Sequence, residues 1–173
     1  VLLTHGHIDH TWSVAPVCGA KDIPALIHPA DREQLSDPAG AMGMPPGTPI
    51  MGRLDWAEPA DVRELADGET LELAGLTFRV DLTPGHTPGS VTFTGNGEFF
   101  SGDLLFAGSI GRTDLPGGSW AQMQESLSRV PLALADETLV RPGHGPDTTI
   151  GRERATNPFL LDLAGSAPVT RGL

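Results

Sequence analysis

The sequence predicts a single α+β domain, and three observations carry that prediction. A chain of 173 residues has the length of one domain and can bury a substantial core. From Glu69 to Ser101, apolar and polar side chains alternate in runs broken by Ala74-Gly75 and Gly95-Asn96-Gly97, which is the period of half-buried strands in two hairpins. Ser119 then opens a stretch with apolar side chains at helical spacing. Strands dominate the middle, helices flank them, and no segment repeats.

Taken in order, Val1 to Thr4 reads as the end of a core strand. Thr11 to about Ala20 predicts a short helix on Trp12, Val14, Ala15 and Val17, with Pro16 as an irregularity. Pro24 to His28 is a strand, and Pro29 to Leu35 a helix opened by proline. Asp37 to Pro59 differs in kind. Its five prolines, with Gly40, Gly43, Gly47 and Gly52 among them, exclude a long helix or a central strand. Its Met42, Met44, Ile50, Met51, Leu54 and Trp56 are too apolar for a free linker. The hairpins follow: Thr70 to Leu73 with Leu76 to Leu82, and Ser90 to Thr94 with Glu98 to Ser101. Ser119 is an N-cap with Gln122 three residues on, and Trp120, Met123, Leu127 and Val130 form the core stripe of that helix. Thr138 to Arg141 is a further strand, and Thr149 to about Ala155 a last short helix.

Composition narrows the partners. A net charge of −11 and a pI near 4.7 argue against nucleic acid or an anionic membrane. Lys21 is the only lysine. No apolar run approaches the ~20 residues of a membrane span. The single cysteine, Cys18, excludes an internal disulfide and fits a reducing, cytoplasmic setting; it reads as a small buried residue on a helix.

The chemistry concentrates at the start of the chain, in Thr4-His5-Gly6-His7-Ile8-Asp9-His10. His5 and His7, two apart, project from one side of an extended backbone, with Gly6 leaving room for a bend. Asp9 and His10 point elsewhere and can serve a second position. Such a set suits two metal ions sharing one cleft, and its imidazole nitrogens and carboxylate oxygens are ligands that zinc, iron and manganese accept. Three more segments put ligand-type residues beside glycine at strand ends: Thr83 to Ser90 with His86, Phe100 to Phe106 with Asp103, and Arg141 to Pro146 with His144. Together the four segments hold five of the six histidines. His28, outside the set, closes a strand and reads as structural.

The set His5, His7, Asp9, His10, His86, Asp103 and His144 resembles the metallo-β-lactamase superfamily. Gly102-Asp103-Leu104-Leu105-Phe106-Ala107-Gly108-Ser109-Ile110-Gly111-Arg112, Gly143-His144-Gly145-Pro146 and Asn157-Pro158-Phe159-Leu160 are similar to the short, single-domain glyoxalase II-like (hydroxyacylglutathione hydrolase type) enzymes. That resemblance spans Val1 to about Leu161. It implies an αββα sandwich, two sheets back to back with helices outside, and residues 1–173 as one metallo-hydrolase domain whose first strands lie upstream of Val1. The composition of residues 37–59 reads either as a flap beside the active-site cleft or as an ordered loop covering a core edge.

The resemblance further implies two divalent metal ions, zinc first and iron or manganese as alternatives. His5, His7 and His86 would hold one ion and Asp9, His10 and His144 the other, with Asp103 bridging. Asp9 and Asp103 are the implied catalytic carboxylates, and a metal-bridging hydroxide would cleave a small acyl-thioester such as S-lactoylglutathione. Arg112 stands where such enzymes carry a cation near the thiol carrier. The expected partner is thus a small acyl-thiol, with no nucleic acid and no membrane. The absence of tyrosine and of a long C-terminal helical part leaves the carrier open. Two other readings stand beside this one. Gly111-Arg112-Thr113-Asp114 is also similar to the mononuclear iron persulfide dioxygenases, and a non-catalytic metal-binding relic would keep the fold alone.

Overall fold

The computed structural model describes residues 1–45, 47–50, 52 and 56–166. The chain opens extended, Leu3 N–H donating to Leu26 O at 2.9 Å. Two helices, α1 (Ile8–Thr11) and α2 (Val14–Lys21), lead to β1 (Ala25–Ile27). Pro29–Leu35 is a 3₁₀ helix rather than an α-helix, and α3 (Pro38–Ala41) is one turn capped by Asp37. Part of the expected 37–59 flap (Pro46, Met51, Arg53, Leu54 and Asp55) lies outside the described residues. β2 (Val62–Glu64) pairs in parallel with β1. Three residues with half-exposed or exposed side chains give no alternating signal, so this strand escapes sequence reasoning.

The two expected hairpins form. β3 (Thr70–Leu73) pairs with β4 (Leu76–Leu82), and β5 (Val91–Gly95) with β6 (Glu98–Gly102). Ala74-Gly75 and Asn96-Gly97 all hold positive φ, the turn twist that two-residue hairpins favour. A small hairpin, β7 (Leu105–Phe106) with β8 (Ser109–Ile110), follows. Ser119 Oγ then accepts from Gln122 N–H at 3.4 Å and starts α4 (Trp120–Arg129). The stripe on α4 is shorter than expected: Met123, Leu127 and Val130 are buried, but Trp120 is 46% exposed and meets Phe159 edge-on. β9 (Leu139–Pro142), β10 (Thr148–Thr149), α5 (Ile150–Thr156) and α6 (Pro158–Ser166) complete the order. Pro158 suits the first position of α6, a further helix beyond the one expected to be the last.

Three apolar clusters define the layers. Leu104, Met123, Leu127, Val140, Ile150 and Leu160 pack α4, α5 and α6 on one face of the six-stranded sheet β10-β9-β6-β5-β4-β3. Leu65, Val80, Val91 and Phe93, with Leu2 and Leu26, join the other face of that sheet to the β1–β2 pair. Leu3, Val14, Cys18, Ala25 and Ile27 pack α2 outside that pair, so Cys18 is the buried helical residue expected. Helix, sheet, sheet and helix stack in that order, which is the αββα sandwich.

The topology then places the ligand-type residues. β6 and β9 are parallel neighbours, while β4–β5 and β5–β6 are antiparallel, so β4, β6 and β9 all end at one edge of the sheet. His86, Asp103 and His144 follow those three strand ends. Thr4 reaches the same edge from the other sheet, its carbonyl accepting from Val91 N–H at 2.7 Å.

Candidate metal centre

All seven predicted ligand residues meet at this edge. His5, His7 and His86 bring one ligand atom each within 4.8 Å of one another, as do Asp9, His10 and His144, and also His5, His10 and Asp103. His7 Nδ1 lies 2.8 Å from His86 Nε2, and His10 Nε2 lies 3.2 Å from His144 Nε2. Asp103 faces both groups, 3.4 Å from His10 Nε2, 3.4 Å from His86 Nε2 and 3.5 Å from His144 Nε2. Asp9 Oδ2 is 3.1 Å from His144 Nε2. The first group is buried, whereas the side chains of Asp9 and His144 are 55% and 53% exposed.

Local structure aims these groups. The register of the β6–β9 ladder shifts between Phe100 and Gly102, and Gly102 takes a φ of +49°. That irregularity turns Asp103 out of the sheet and into the cluster. His86 Nδ1 sits 2.8 Å from the Arg112 carbonyl, which can only accept, so Nδ1 carries the proton and Nε2 presents its lone pair to the cluster. Gly143 N–H donates to Gly102 O at 2.8 Å, clamping the two strand ends that carry Asp103 and His144.

The electrostatics suit a cation. Burial holds His5 well below the usual imidazole range, with His10 the next cause. Burial, then His86, lowers His7 to about 4. Burial also lowers His10, against the opposing pull of Asp103. These imidazoles are therefore neutral at pH 7, the form that ligates metal. Burial pushes the Asp103 carboxyl up, with His10 opposing, a penalty that a nearby cation reverses. His5 Nε2, His7 Nε2 and Asp103 Oδ1 are buried without a hydrogen-bond partner among the described residues. Orphaned buried polar atoms are costly, and those of His5 and Asp103 face the cluster, so divalent ions fit here.

The cluster floors a cleft of about 430 Å³, walled by Ile8, Met42, Phe106, Ile110 and Leu115. Arg112 lines it too, but its guanidinium is engaged by Asp114 at 2.7 and 2.8 Å. Hydrogen bonding from Arg112 draws the Asp114 carboxyl down to about 2. His28 stays apart, accepting from Ala30 N–H at 3.3 Å. Sequence reasoning did not find Asp31, a wholly buried carboxylate behind His7 and His86, nor the pair Glu153 and Asn157 beneath the β7–β8 hairpin. Asp31 and Glu153 carry no motif signal; Asn157 stood in a quoted motif, but its bond to the Ser109 carbonyl joins residues 48 positions apart and could not be read from it.

Comparison with known proteins follows the geometry. The Metallo-beta-lactamase superfamily profile matches residues 1–144. A Mycobacterium tuberculosis protein, Rv2581c, is 46% identical over 172 residues, covering 95% of this chain and 76% of its own. The hydroxyacylglutathione hydrolase GloC of Haemophilus influenzae is 35% identical over 170 residues, covering 92% of this chain and 74% of its own. Among solved structures, the BLEG-1 B3 metallo-beta-lactamase superposes with a TM-score of 0.81 at 43% identity, over 92% of this chain and 75% of that one. TTHA1623, crystallised in a di-iron-bound form, gives 0.76 at 43% identity, over 92% and 76%. No helix among the described residues is long and apolar enough to cross a membrane. With its seven ligand-type side chains on one edge of an αββα sandwich, this chain belongs to the metallo-β-lactamase superfamily of metallo-hydrolases.

Proposed function

We propose that the chain is a glyoxalase II-like hydrolase that cleaves a small acyl-thioester such as S-lactoylglutathione, with two divalent ions bound. The observation that carries the reading is the pairing of two three-residue ligand groups around Asp103 in a cleft with apolar walls. The identity to GloC supports it. His5, His7 and His86 would hold one ion, Asp9, His10 and His144 the other, and Asp103 would serve both. Bound divalent ions supply water acidic enough to ionise near neutral pH and a Lewis acid for a carbonyl oxygen.

The protein's own part is placement. The Arg112 carbonyl fixes the ring of His86. Ile8, Met42, Phe106, Ile110 and Leu115 would shield the reacting group from bulk water and receive the apolar parts of the acyl-thiol. A thiolate leaves more readily than an amide nitrogen, which favours a thioester as the target, and with water activated by bound ions the arrangement would need no serine or cysteine nucleophile. Arg112 would meet a carboxylate of the thiol carrier by exchanging Asp114 for it.

Thioester loss by ultraviolet absorbance, together with free-thiol release, tests the reaction on protein whose metal content is known. The expected result is two metal equivalents per chain and thiol release without oxygen uptake. Protein holding both ions that releases no thiol from any acyl-thiol refutes the reading. One equivalent at saturation, with oxygen uptake on a glutathione persulfide, would identify a dioxygenase instead.

A further inference from the structure

Asp31 is fully buried, 0% exposed, and among the described residues all three hydrogen bonds its side chain accepts come from the loops that carry His5, His7 and His86. Oδ2 accepts from Gly6 N–H at 2.9 Å and from Thr87 Oγ1 at 2.6 Å. Oδ1 accepts from Gly89 N–H at 2.7 Å. Gly6 separates His5 from His7, and Thr87 adjoins His86. One carboxylate therefore ties together two loops that lie far apart in sequence.

The glycines carry the same message. Neither Gly6 nor Gly89 takes a positive φ, so neither is required by a left-handed turn. A Cβ on Gly6 would lie 2.7 Å from the Asp31 carbonyl oxygen, and one on Gly89 would lie 2.6 Å from Asp31 Oδ1. At Gly89 the close approach of Asp31 demands glycine; at Gly6 the Asp31 backbone and the Gln34 side chain, 2.8 Å from such a Cβ, do so together. By contrast, Asp9, His10 and His144 accept or donate nothing to it among the described residues.

We propose that Asp31 is a positioning residue: it sets the spacing between His7 and His86, and thereby the affinity of the His5, His7 and His86 group for a divalent cation. The proposal rests on the metal-centre reading above but not on the identity of the substrate. Asparagine at this position keeps the shape and loses one acceptor, so at least one of the two ligand loops meets a donor where it needs an acceptor.

The test titrates metal-free protein with cobalt(II) against a competing chelator, following visible absorption. His7→Ala identifies the binding step that belongs to the His5, His7 and His86 group. Asp31→Asn is expected to weaken that same step by roughly 10–100-fold, the range typical of residues that orient metal ligands, and to alter the cobalt spectrum. Thr87→Val, which removes one donor to Asp31 and adds no bulk, is expected to shift the same step in the same direction by less. Asn157→Ala, remote from both loops, serves as the control for destabilisation alone and is expected to leave cobalt affinity unchanged. An unaltered binding step in Asp31→Asn, with only thermal stability reduced, overturns the assignment. If Asp31→Asn does not fold, an unaltered step in Thr87→Val overturns it. Wild-type protein that takes up no cobalt overturns the metal centre and this proposal with it. A cobalt-binding wild type that cleaves no thioester refutes the proposed reaction and not the role of Asp31.

Discussion

Asn157→Ala offers a direct check on how the cleft is supported from beneath. Asn157 is 0% exposed, and its Nδ2 donates to Ser109 O at 3.0 Å and to Glu153 Oε2 at 2.9 Å. Its Oδ1 accepts from Phe159 N–H at 3.1 Å, in the first turn of α6. Glu153, equally buried, spends its remaining capacity on Thr148 Oγ1 at 2.6 Å and Gly108 N–H at 2.7 Å. Truncation therefore leaves a hairpin carbonyl, a carboxylate oxygen and a helix N–H short of a partner. Each such loss costs about 1–3 kcal/mol and neighbouring losses do not add, so a total of about 3–4 kcal/mol is expected. For a domain of this size that corresponds to a fall in Tm of roughly 6–16 °C. The affected hairpin, β7–β8, presents Phe106 and Ile110 to the cleft, while no metal-ligand side chain touches Asn157. KM for the proposed thioester should therefore rise with kcat unchanged, read by steady-state kinetics beside thermal unfolding. A Tm equal to that of wild type, or a fall in kcat at constant KM, refutes this account.

Four further outcomes are expected. Asp103→Ala should lose at least one metal equivalent by elemental analysis, with the far-ultraviolet circular dichroism of the fold retained, because the carboxylate facing both ligand groups is gone. Gly143→Ala should lower metal content without removing any ligand, since its Cβ would collide with Asp103 Oδ1 and lie 2.8 Å from His10 Cε1. Arg112→Ala should raise KM for thioesters with a carboxylate-bearing carrier and spare those with a neutral one; kcat should hold, because only the backbone carbonyl of residue 112 touches His86. Leu127→Ala, in the fully buried cluster under the sheet, should cost about 2–5 kcal/mol in chemical denaturation and leave metal content unaltered.

The sequence disclosed what short-range physics determines. Two-residue turns of residues tolerant of positive φ, flanked by alternating side chains, made both hairpins legible, and Ser119 marked its helix. The ligand-type residues were legible because a cleft at strand ends needs glycine-rich turns there, and His86, Asp103 and His144 each stand beside one. What stayed hidden depends on partners distant in the chain. β2 exists because β1 offers it a parallel edge, not because Val62-Arg63-Glu64 carries a strand pattern. Trp120 matched the helical period yet lies at the solvent end of α4, since periodicity fixes a face but not how far the neighbouring layer covers it. Asp31 and Glu153 looked like ordinary surface acids of a chain rich in them. Only the folded topology sets donors around their carboxylates.

The two ligand groups differ in burial, and that difference orients the chemistry. His5, His7 and His86 lie under the loops pinned by Asp31, whereas Asp9 and His144 are half exposed at the open side of the cleft. On the proposed function, a substrate would meet the exposed group first, beside Phe106, whose ring meets His144 edge-on at 5.9 Å. The buried group has its spacing fixed before anything binds. In the exposed group, Asp9 and His10 come from the motif at the start of the chain and His144 from the end of β9, and the side chains of Asp9 and His144 stay open to solvent. In the proposed reaction, the buried group would fix the geometry that must not vary, and the exposed group would be the one that meets the acyl-thiol. An apolar wall of Met42, Ile110 and Leu115 beside a cation already engaged by Asp114 reinforces that division. For the proposed substrate, the apolar walls would read the acyl part and Arg112 would read the carrier once a carboxylate takes the place of Asp114.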